Sequence, residues 1–162
     1  MKFNVPTKHE ATIEDRYKTT LKVKGNLYEI ELLDTAGEED YQNLLGSWVS
    51  YADGFLLVFA LNDKESLESL KEKKEKIEEK FNIKNSKKIP CILIGNKQDL
   101  SSERNITYKE AKSLADKWNM EYMETSALNN FNCKEALMKL VMKIIDLDKG
   151  EKDEEKCGCC VY

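Results

Sequence analysis

Apolar and polar positions alternate along residues 17–24, where Tyr17, Thr19, Leu21 and Val23 fall on one side. That two-residue period predicts a strand. Lys24-Gly25-Asn26 reads as a turn, and an apolar stretch returns over residues 28–33, so a hairpin is expected. Three later runs are apolar without alternation: Gly54–Ala60, residues 89–95 and residues 120–125. Continuous apolar runs suit parallel strands covered on both faces.

Between these runs the period lengthens to that of helices. Residues 66–81 place Leu67, Leu70, Ile77 and Phe81 on one stripe, and the Lys and Glu elsewhere read as a solvated face with i,i+4 pairs. Thr107 and Glu110 have capping-box spacing ahead of Ala111, Leu114, Ala115 and Trp118. Asn132 can cap a last helix whose apolar face holds Ala136, Leu137, Leu140, Val141, Ile144 and Ile145. Strands separated by helices predict an α/β fold with a mostly parallel central sheet. Ligands of such sheets sit at the carboxyl ends of strands.

Composition narrows the picture. A chain of 162 residues, 41% hydrophobic, suits one domain with a real core. Domain limits are read as residues 1–147, with a flexible tail over 148–162 where the chain becomes polar and charged. The net charge of −4 gives no electrostatic case for nucleic-acid binding. No run approaches the apolar length of a membrane span, and residues 1–15 hold no continuous apolar stretch, so no signal peptide is expected. Of the five cysteines, Cys91 and Cys133 read as buried thiols inside elements, while Cys157, Cys159 and Cys160 crowd the end. That distribution is no disulfide framework, the only histidine is His9, and a reducing, intracellular setting without structural zinc is expected.

Candidate chemistry lies where the predicted strands end. Asn96-Lys97-Gln98-Asp99 follows an apolar strand. Guanine offers two N–H donors on its Watson–Crick edge, and the Asp99 carboxylate can accept both, a pattern adenine cannot supply. Thr125-Ser126-Ala127 follows the next strand, and Asp34-Thr35-Ala36-Gly37 follows the second strand of the hairpin. A carboxylate at Asp34 can hold magnesium through a water, and Gly37 lets the backbone N–H approach a phosphate.

In this order the three motifs resemble the switch II, guanine and ribose-side loops of the Ras branch of the Ras superfamily of small GTPases. Ala11-Thr12-Ile13-Glu14-Asp15-Arg16-Tyr17 resembles the effector stretch of the same branch, with departures at Ala11 and His9. The resemblance runs from about Val5 to Leu147, without the extra helix of the Rho type or the tryptophan that Rab and Arf types carry where Leu33 stands. It implies a Ras-like P-loop NTPase fold and a monomeric switch that binds GTP or GDP with Mg2+ and hydrolyses GTP slowly. Nucleotide contacts would come from Thr12, Asp34, Gly37, Asn96, Lys97, Asp99, Ser126, Ala127 and Leu128. Thr12 and Asp34 would serve the metal. Ala127 N–H would meet the guanine oxygen, and Leu128, leucine as in Rho types, would lie along the ring. Glu14, Asp15, Tyr17 and Tyr41 would face effectors, beside exchange factors and GTPase-activating proteins. Val5 stands where an aromatic normally covers the base, and Phe3 is a substitute.

The tail fits a lipid anchor. Cys159-Cys160-Val161-Tyr162 matches the C-a-a-X prenylation pattern, and Cys157 offers a palmitoylation site as the second signal. Acids outnumber lysines over residues 148–156, which disfavours a polybasic second signal. The cytoplasmic face of a membrane, the plasma membrane first, is the expected location.

Two departures bear on catalysis. No Gly-x-x-x-x-Gly-Lys-Ser/Thr loop occurs, and the sequence opens inside the effector stretch, so the first strand, phosphate loop and first helix of the fold are expected to be missing, as in an incomplete gene reading. The missing strand would lie mid-sheet and leave two apolar edges open. A nucleotide-free remnant acting as an interaction module is therefore the rival to a switch. Glu38 stands where the family places a water-orienting glutamine, and a carboxylate only accepts hydrogen bonds. Glu38→Gln is expected to change single-turnover GTP hydrolysis in a form of the protein supplied with a phosphate loop; equal rates would remove Glu38 from the chemistry.

Overall fold

The computed structural model describes residues 14–35, 51–84, 89–148 and 157–161. Strands β1 (Glu14–Val23) and β2 (Asn26–Thr35) form the expected antiparallel hairpin. Val23 pairs with Asn26, and Lys24 and Gly25 between them have φ of 50° and 92°. Two left-handed residues make the turn that matches strand twist, which is why glycine is useful there.

β3 (Gly54–Ala60), β4 (Cys91–Asn96) and β5 (Glu121–Glu124) are the three predicted apolar runs, and they pair in parallel. Helices α1 (Lys64–Lys84), α2 (Tyr108–Lys117) and α3 (Cys133–Asp148) fall between and after them. Alternate residues of the strands serve opposite faces. Phe55, Leu57, Phe59 and Leu93 join Leu70 and Ile77 of α1 and Ala111 and Ala115 of α2 in one core. Leu56, Ile92 and Ile94 join Leu140, Val141 and Ile144 of α3 in the other. This two-sided cover explains why the runs show no polar alternation.

The caps are partly as read. Thr107 and Glu110 form the capping box in both directions. At α1 the cap is Asp63, whose carboxylate accepts from Glu65 N at 2.9 Å. Asn132 gives its carbonyl to Ala136 N at the head of α3, but its side-chain amide donates to Glu124 O at 3.0 Å instead of capping. The solvated face of α1 carries the ion pairs Lys71–Glu68 and Lys74–Glu78.

The tail departs from expectation. Within the segment expected to be a flexible tail, Cys157–Val161 forms a sixth strand, β6. The sheet order is β1-β2-β6-β3-β4-β5. β6 runs parallel to both neighbours, and its backbone continues the ladder between β2 and β3.

Leu140, 0% exposed, fills the core between α3 and the sheet. Leu140→Ala is expected to lower stability by about 3 kcal/mol, read as a lower urea midpoint at unchanged slope. An unchanged midpoint would remove Leu140 from the core.

Candidate functional site

β4 and β5 end side by side, and their carboxyl ends carry two of the sequence motifs. Thr125 N donates to Gly95 O at 2.9 Å, which is the last rung between the strands. Beyond it Lys97 takes φ of 64°, a left-handed conformation that a lysine adopts at a penalty of about 1 kcal/mol. The turn is closed by Leu100 N donating to Lys97 O, and Gln98 N donates across to Thr125 O, both at 3.0 Å.

The side chains then lock the loops together. Asn96 Oδ1 accepts from Thr125 Oγ1 and from Ala127 N, each at 3.2 Å. Ser126 Oγ donates to Asp99 Oδ1 and accepts from Asn129 N. Ser126 is fully buried, whereas Asp99 is half-buried and Leu128 is 64% exposed. An ionised carboxylate has about four acceptor positions, so the Ser126 bond leaves Asp99 able to accept two donors from a base. Ala127 N–H is already given to Asn96, so a purine oxygen would have to share it. Lys97 is exposed beside this edge.

A second tier beneath the loops went unnoticed in the sequence. Arg104 places both terminal nitrogens on the Glu124 carboxylate, and its Nε donates to Ile106 O at 2.8 Å. Tyr122 OH donates to Glu124 Oε1 at 2.9 Å. Burial, then this bond, holds the Tyr122 hydroxyl well above its ordinary pKa. Gly95 lies against the same tyrosine: a Cβ there would come within 2.6 Å of Tyr122 Oη and 2.8 Å of Leu61 Cδ2. A glycine inside an apolar strand was the available signal for such a close approach. Glu124 O also accepts from Asn132, and Cys133 Sγ donates to Ser126 O at 3.4 Å. Cys133 is thus half-buried at the loop rather than a core thiol. Cys91 is likewise half-buried but packs against the core, and burial pushes its thiol up to about 12.

The other end of the site lies on the hairpin. Asp34 is half-buried near the end of β2, and its register partner on β1 is Asp15. Burial first and the Asp15 charge second raise the Asp34 carboxyl above its ordinary value. A cation there would relieve both. Tyr17 is exposed and donates to Asp15 Oδ2 at 3.2 Å. Asp15 raises the Tyr17 hydroxyl. Glu14 opens β1 opposite Thr35. Among the described residues, no group of three or more His, Cys, Asp or Glu is placed to hold a metal ion. Phe3, Val5, His9, Ala11, Thr12, Gly37, Glu38 and Tyr41 lie outside the described residues.

Two outcomes follow. Arg104→Ala leaves Glu124 half of its partners and is expected to destabilise the fold by about 2 kcal/mol, measured by urea unfolding; no loss would remove the brace. Asp34 has a raised folded pKa, so its contribution is complete below the unfolded pKa and is lost as pH rises through the folded one. Asp34→Asn is therefore expected to raise the metal-free melting temperature at about pH 7, with a gain that shrinks towards about pH 3. A gain that grew on acidification would reverse this assignment.

Loops from adjacent parallel strands, locked through Asn96–Ala127 and Asp99–Ser126, thus present a recessed carboxylate beside an exposed apolar edge. A comparison with protein families agrees with that geometry: the profile described as "Ras family" matches residues 1–146. The sheet, the order of the three motifs and this match identify the chain as a member of the Ras family, the small GTPases.

Proposed function

We propose that this chain is a guanine-nucleotide switch of the Ras type. Family membership supports nucleotide binding in general. The observation that carries the guanine reading is the pair of cross-loop contacts, Ser126 to Asp99 and Ala127 to Asn96. They fix the Asp99 carboxylate at the edge where a purine amino group would meet it. Asp99 reads the base, Asn96 braces the loops, Lys97 and Leu128 cover the two sides of the ring, and Ala127 N–H is shared between Asn96 and the base oxygen.

At the hairpin, Asp34 suits a magnesium ion held through water, and such an ion would neutralise charge developing on the phosphates. Thr12 and Gly37 would meet the γ-phosphate, and Glu38 would act on the attacking water. Glu14, Asp15, Tyr17 and Tyr41 then form the surface offered to effectors, exchange factors and activating proteins. Cys159, backed by Cys157, would carry the lipid that brings the switch to the cytoplasmic face of a membrane.

Titration with GDP, GTP and ATP tests this reading. A switch takes up GDP and GTP in preference to ATP. Asp99→Ala then weakens uptake by about 3 kcal/mol, a factor of about 100, through two lost charge-assisted bonds. Equal uptake of adenine and guanine nucleotides would sink the base reading, and uptake of neither would overturn the switch.

A further inference from the structure

Thr125 gives both of its backbone groups to the β4 side. Its N–H donates to Gly95 O at 2.9 Å, and its carbonyl accepts from Gln98 N at 3.0 Å. Backbone groups of successive residues point to opposite edges of a strand. The carbonyl of Glu124 and both backbone groups of Ser126 therefore turn to the outer edge. β5 is the last strand in the sheet order, so no further strand meets them there among the described residues. Groups that water does not reach need other partners.

Residues 131–133 supply them. Phe131 exchanges two backbone bonds with Ser126, at 3.1 and 2.9 Å. Asn132 Nδ2 donates to Glu124 O at 3.0 Å, and Cys133 Sγ donates to Ser126 O at 3.4 Å. Burial and then the Glu135 charge raise the Cys133 thiol above its ordinary value, which keeps it a donor. Asn132 has φ of 56°, in the left-handed region that admits asparagine more readily than most side chains. Position 132 must accept that backbone and also donate an amide; glycine meets only the first demand. Cys133 opens α3, whose Leu140, Val141 and Ile144 are set in the core. The loop that carries Ser126 and Ala127 is thus fastened to the sheet on one side and to the head of a buried helix on the other.

We infer that Asn132 and Cys133 are positioning residues for guanine recognition. Through Glu124 O and Ser126 O they hold Ser126 and Ala127 at their contacts with Asp99 and Asn96. They thereby set how well Asp99 meets both donors of the base and how long the base stays. The inference rests on the guanine reading above and adds to it the residues that keep the base loop in place.

Hydrogen exchange of the full chain without nucleotide tests the fastening by itself. Asn132→Gly removes the amide and tolerates the backbone conformation; Cys133→Val removes the thiol donor at similar volume. Each is expected to speed exchange of the Ser126 and Phe131 amides about fivefold. Exchange as slow as in the parent in both variants would overturn the inference, whatever the nucleotide results. Release of a fluorescent GDP tests the positioning. Both variants are expected to release it about fivefold faster, and Cys133→Ser, which keeps a donor, is expected to return close to the parent rate. Inosine diphosphate lacks the exocyclic amino group, so a misplaced Asp99 loses more on GDP than on inosine diphosphate. The preference for GDP is therefore expected to shrink in Asn132→Gly and Cys133→Val. Unchanged release, or equal weakening of the two nucleotides, would make these contacts structural only and overturn the inference. If the parent takes up no guanine nucleotide while the exchange results hold, the guanine reading itself fails and the positioning role falls with it, leaving the fastening as a feature of the fold.

Discussion

A parallel strand buried on both faces has nowhere to put an unpaired backbone group, because water cannot reach it and no side chain lies in the plane of the sheet. β3 and β4 fall under this constraint here. It makes the sheet a continuous ladder from β1 to β5, with Cys157–Val161 paired between β2 and β3. The helices follow from it, since α1 and α2 cover one face and α3 the other. The loops that carry chemistry are what remains beyond the ends of the strands.

The site inherits its geometry from that ladder. Asn96 and Thr125 are neighbours because β4 and β5 end in register, and the rung from Thr125 N to Gly95 O sets the spacing of their loops. Above the rung, short polar side chains do the locking, and below it Arg104, Glu124 and Tyr122 form a polar brace within an otherwise apolar layer. Asp34 differs in kind. It has another carboxylate as its partner across the hairpin, so burial and like charge both raise its carboxyl above the ordinary value.

Much of this was legible in the chain. Continuous apolar runs announced β3, β4 and β5, and Lys24-Gly25 announced the hairpin, because both signals are local. The Thr107–Glu110 box was legible for the same reason. Arg104 and Glu124 were not, since twenty positions separate them and neither belongs to a motif. Asn132 misled because an amide at a cap position has an alternative partner in Glu124 O, which only the fold brings near. β6 was the least legible element. Its residues look like a solvated end, and their pairing with Ile30–Asp34 and Gly54–Leu56 is between segments far apart in the chain, which no local signal announces.

The close approach at Gly95 has a wider consequence. Tyr122 Oη and Leu61 Cδ2 lie 2.6 and 2.8 Å from where a Cβ would stand, so any side chain at position 95 would have to displace the tyrosine that donates to Glu124. The spacing beneath the Asn96 loop is thus kept by an atom that is absent, and one added methyl group would disturb the loop and its support together.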